Sequence, residues 1–125
     1  MKVIAEKLRD IELELIQEHG DFELFALFLR EDAPDKWDVI VSSEWAREDK
    51  KSALNSIVAK INSSLNPEET VKLSRIIILN KDDAALNALH SAMHVEHSIA
   101  EISDSNFFGL AIKHAYLITS KRANS

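Results

Sequence analysis

No cysteine occurs among the 125 residues. Its absence removes a disulfide framework, a thiolate nucleophile and every cysteine-ligated metal site. Glycine and proline are nearly as scarce, two of each. So few turn formers argue against an all-β protein built on many tight turns, and against a flexible linker inside the chain. Apolar runs such as Ile76 to Leu79 fall far short of the roughly 20 residues that span a bilayer as a helix. Glu6 and Asp10 soon follow Lys2, so the start does not read as a secretory signal. A cytoplasmic location is the simplest expectation.

Positive charge is also in short supply: 15 basic side chains stand against 21 acidic ones, a formal net charge of −6. Nucleic-acid binding rests largely on neutralised phosphates, so a net-acidic domain is poorly suited to it. The basic pair Lys121-Arg122 opens a polar stretch, 121–125, that reads as a frayed tail. Serine in a nucleophile-elbow pattern and a glycine-rich phosphate loop are both missing.

What is present is an ordered series of helix and strand signals. Ile4, Leu8, Ile11 and Leu15 recur at helical spacing, and Gly20 supplies a stop. Phe22 to Arg30 is apolar on both alternating faces, as in a strand inside a covered sheet. A polar turn around Pro34 leads to a second strand, Trp37 to Ser42, predicting an antiparallel hairpin. Leu54, Ile57, Val58, Ile61 and Leu65 mark a helix that starts somewhere between Ser43 and Asp49. Asn66-Pro67-Glu68-Glu69 has the chemistry of a short helix start: an Asn cap, Pro at the first position and acids near the positive dipole end.

The β-branched run Arg75 to Leu79 reads as a central buried strand. Asn80 or Asp82 caps a further helix carrying Leu86, Leu89 and Met93. A strand over Val95 to Ile102, a turn at Ser103 to Asn106 and a last strand over Leu110 to Thr119 complete the series, although the last also suits a helix. The reading is a single α/β (or α+β) domain over residues 1–120, in the order α-β-β-α-(α)-β-α-β-β. Its mixed five-stranded sheet carries helices packed on it. The helix between the second and third strands makes those two parallel.

Several residues invite a functional reading. His90, His94 and His97 have a spacing that places imidazoles one helical turn apart, good geometry for a catalytic zinc. The acid of a metalloprotease helix is missing, since Ser91 follows His90, and solvated or core-flanking histidines are the simpler account. Asp38 near the start of the second strand could serve as a base or ligand, but it lacks the second carboxylate a two-metal site needs. Pro34-Asp35 with Glu48-Asp49-Lys50 contains the residue types of a nuclease site, yet Lys50 opens a helix, where capping is the plainer role.

If the second and third strands are parallel neighbours, Ser42 and Ser43 emerge beside Asn80 at the end where α/β sheets bind ligands. Helix capping is the competing explanation. Phe107, Phe108 and Trp45 are aromatics in polar surroundings and candidate interface anchors.

The expectation is therefore a non-enzymatic protein-interaction or self-associating module with no cofactor, using those aromatics and a sheet edge. A zinc-dependent hydrolase and a small-ligand binder at the strand ends are the alternatives. No membrane or nucleic-acid partner is expected.

Overall fold

The computed structural model describes residues 1–32, 35–107 and 110–122, without the side chains at 30, 104–107, 110 and 111. Along the chain run α1 (Lys2–His19), β1 (Leu24–Arg30), β2 (Trp37–Ser42), α2 (Glu44–Glu48), α3 (Lys50–Ser64), α4 (Pro67–Thr70), β3 (Leu73–Ile78), α5 (Ala84–Ala92), β4 (Ala100–Phe107) and β5 (Leu110–Ser120). The five strands form one mixed sheet in the order β3-β2-β1-β5-β4. β1 pairs antiparallel with β2 and with β5, and β4 pairs antiparallel with β5. Only β2 and β3 are parallel, as the intervening helices require. Among the described residues no helix is long and apolar enough to cross a membrane.

Alternation along the strands divides the core into two layers. Phe25, Leu27, Val39, Val41 and Ile118 face α1 and α3, meeting Leu8, Ile11, Leu15 and Ile57. Leu24, Ala26, Ile40, Ala115 and Leu117 face the other way, towards Leu86 and Leu89 of α5. β1, predicted to be apolar on both faces, accordingly lies at the centre of the sheet.

Local chemistry explains most element boundaries. The two possible starts of the second helical region are both real, because each has its own cap. The Ser43 hydroxyl accepts from the Ala46 N–H to open α2, and the Asp49 carboxylate accepts from the Ser52 N–H to open α3. α4 carries a full capping box, in which Asn66 and Glu69 exchange side-chain to backbone bonds. α1 stops at Gly20, whose φ of 123° suits glycine alone.

Four expectations need correction. β3 is an edge strand and only half-covered, so its β-branched run reflects strand propensity and not a central position. α5 is capped by Asp83, in place of Asn80 or Asp82. Val95 forms only an isolated bridge to Ser120, and β4 begins five residues later. Residues 103–106, expected as a turn, continue β4 in register with β5.

Candidate functional site

The parallel pairing of β2 and β3 does bring Ser42, Ser43 and Asn80 to one end of the sheet. Each already has an intramolecular role there. Ser42 Oγ donates to the Leu79 carbonyl at 3.1 Å and accepts from Arg47 Nη1 at 2.6 Å. Ser43 caps α2. The Asn80 side-chain carbonyl accepts from Lys50 Nζ at 3.0 Å. Arg47 also forks onto Glu23, with both nitrogens 3.0 Å from the carboxylate oxygens, a bidentate tie from α2 to the start of β1.

Beside this cluster lies an open cavity of about 490 Å³ bounded by His19, Phe22, Glu44, Trp45, Glu48 and Lys121. Trp45, proposed as an interface anchor, is packed into its wall, stacked on His19 at 4.4 Å and edge-on to Phe22 at 5.5 Å. Its indole nitrogen is buried with no hydrogen-bond partner among the described residues. Phe107 ends β4 with its side chain not described, and Phe108 lies outside the described residues.

The three histidines separate. α5 ends at Ala92, and Met93 takes an extended conformation, so the helical spacing breaks between His90 and His94. His90 Nε2 sits 2.9 Å from the Glu23 carbonyl, and His94 is largely exposed. His97 turns away to Glu12. Among the described residues no three histidine or carboxylate groups are gathered to hold a metal. Asp38 is buried on β2, its carboxylate 3.2 Å from Arg75 Nε on β3.

The Glu12 network escaped the sequence reading. Glu12 is a fully buried carboxylate on α1, accepting from His97 Nδ1 at 2.8 Å and from the Thr119 hydroxyl. Thr119 Oγ1 in turn accepts the His97 backbone N–H at 3.1 Å. A bulge aims Thr119: Phe25 pairs with Thr119 and Ala26 with Leu117, leaving Ile118 as the extra residue. Ile118 and Thr119 therefore both face α1. His97 adopts φ 49°, the only non-glycine with positive φ among the described residues. The signal was legible, because Glu12 follows Leu8 by one helical turn inside the apolar stripe.

Next to it, Lys121 holds Glu96 at 2.8 Å. The hydrogen bond from Lys121 keeps the Glu96 carboxyl below the ordinary carboxylate value, and the same bond raises the Lys121 ammonium. Lys121 and Arg122 are thus tied down, Arg122 through Ser91 Oγ at 3.0 Å. The rest of the expected tail, 123–125, lies outside the described residues.

The two outer strands differ in what they offer. β4 alternates Ala100 and Ile102 with Glu101 and Ser103, so one face of that edge is polar. β3 places Ile76 and Ile78 on one face and Ile77 on the other, all half-buried. The Leu79 N–H bonds to the Val41 carbonyl, so by alternation the N–H and C=O of Ile76 and Ile78 point away from β2. Among the described residues no strand lies beyond them. Alongside β3 runs an open groove of about 320 Å³, lined chiefly by Leu54, Val58, Ile61, Leu73 and Ile76. Val58 on its α3 wall is 42% exposed.

Comparison of the chain with family models, with curated proteins and with solved structures finds no match.

Proposed function

We propose that this protein is a non-enzymatic, self-associating module that adds a strand along the outer edge of β3. The observation carrying this reading is an apolar, β-branched strand, Ile76-Ile77-Ile78, at the sheet edge beside an apolar groove. Such edges attract a further strand unless charge, proline or a covering element blunts them. Arg75, the charge on this strand, is drawn onto Asp38 and away from that role.

The test is solution mass over a concentration series, with Ile76→Pro as the edge-blocking variant. Because the Ile76 N–H points outward, proline there leaves the ladder to β2 intact and removes a donor only an incoming strand would use. Association means a mass of at least twice 14.1 kDa that falls to 14.1 kDa in the variant. A wild-type monomer at high concentration, or a variant that associates unchanged, sinks the reading.

A second reading is a small-ligand site at the strand ends, favoured by the 490 Å³ cavity beside Trp45. Ligands that bind only the folded state raise stability by about 2.7 kcal/mol at a hundred times the dissociation constant. A thermal-shift panel of metabolites, nucleotides and divalent metals tests it. A flat response across the panel, or a shift unchanged in Glu48→Trp, counts against it.

A further inference from the structure

We infer that the cavity beside Trp45 takes a small organic cation, an amine or guanidinium carried on a short aliphatic stem. This rests on the small-ligand reading above and names the class of ligand.

The cavity combines an aromatic wall with a pair of carboxylates. The Trp45 indole, stacked on the His19 ring at 4.4 Å and edge-on to Phe22 at 5.5 Å, makes the aromatic wall. Glu44 and Glu48 supply the carboxylates. They stand one turn apart on α2, so the acids and the indole all come from one five-residue helix. At about 490 Å³ the cavity falls within the range of small-molecule sites, roughly 300–1,000 Å³.

The balance of charge selects a cation. The basic side chains at the cavity's border are already committed. Arg47, the residue before Glu48, forks onto Glu23 with both nitrogens 3.0 Å from its carboxylate oxygens. Lys121 holds Glu96 at 2.8 Å and lies 3.8 Å from Asp21. Arg122 donates to Ser91 Oγ at 3.0 Å. Glu44 and Glu48 are both exposed, and neither carboxylate makes an ion pair or a hydrogen bond among the described residues. Like charges four residues apart on a helix repel each other, and here no cation of the chain offsets that repulsion. An anion entering the cavity meets two unpaired carboxylates and no free basic group. A cationic head meets charge-assisted hydrogen bonds from Glu44 and Glu48, with its stem against the indole.

Thermal-shift and calorimetric titrations with putrescine and agmatine test this, with butanediol and succinate as neutral and anionic controls. Both amines should bind with saturation, and the two controls should not. Glu44→Gln and Glu48→Gln should each weaken amine binding about tenfold. Glu14→Gln, an equal change of charge on the exposed side of α1, should leave it unaltered. Melting temperatures without ligand check that each variant remains folded. Amines that bind equally to the wild type and all three variants are gathered by net surface charge, and the inference falls. If succinate or butanediol binds in a manner lost in Glu48→Trp while the amines do not, the ligand site stands and its class is wrong. No response to either amine overturns the cation, and a flat metabolite panel besides removes the ligand site with it.

Discussion

β2 and β3 are parallel neighbours with similar apolar content, and the sheet treats them differently. All six residues of β2 are buried, including Asp38. None of β3 reaches that state, although it contains three consecutive isoleucines. Ile40 and Ile77 make the contrast sharp, because they are register partners on the same face, one almost fully buried and one half-covered. What separates them is the number of flanking strands: β2 has β1 and β3, whereas β3 has β2 alone. Burial in a sheet is therefore set by neighbours as much as by composition.

The largest effect expected is on that pair. Ile40→Ala should cost about 2–5 kcal/mol in chemical denaturation, and Ile77→Ala about half as much in dilute monomer. The difference should narrow as protein concentration rises if a second copy covers Ile77. Equal costs at every concentration would mean that edge position carries no energetic meaning here.

Polar groups extend the comparison. Thr119→Val leaves the buried Glu12 carboxylate short of a donor and should cost about 1–3 kcal/mol. Lys50→Ala removes an exposed bond to Asn80 beside the edge and should stay within about 0.5 kcal/mol. Unfolding midpoints of the two variants that coincide would deny Glu12 its buried, donor-dependent state.

A smaller effect isolates the backbone at His97. Both His97→Ala and His97→Gly lose the imidazole, but glycine accommodates φ 49° without strain. The glycine variant should be the more stable by about 1 kcal/mol. If the alanine variant is equally stable, the segment has relaxed once its side-chain tie is cut.

The smallest effect is electrostatic. Glu96 titrates below its ordinary 4.5 because Lys121 hydrogen-bonds to it. A lowered folded value stabilises above the unfolded value, and that contribution disappears as pH falls through the folded one. Wild type and Glu96→Gln should therefore differ in melting temperature at neutral pH and converge in acid. A gap that widens on acidification would reverse the sign and refute the pairing.

Much of the fold was legible because its signals are local. The Asn66 cap, the stop at Gly20 and the strand Trp37–Ser42 each depend on a few adjacent residues, and each is found as read. The edge position of β3 was not legible, since a β-branched run reports backbone preference and says nothing about how many strands flank it. The histidines misled for a related reason. Their spacing implies a shared face only on an unbroken helix, and Met93 breaks it. The site was least legible where it depends on long-range contact: Glu12, His97 and Thr119 come from three separate parts of the chain. Glu12 alone announced itself, as a charge in an apolar stripe.

The extra residue in β5 also divides labour between two hydroxyls. Thr119 serves Glu12 on α1, while its neighbour Ser120 donates to the Met93 carbonyl at the end of α5, on the opposite side of the sheet. Delete one residue at Ile118 and every side chain on one side of the deletion changes sides relative to the other. A single unit of chain length thus decides which helix each hydroxyl fastens, and the sheet is stitched to both of its layers by two consecutive letters.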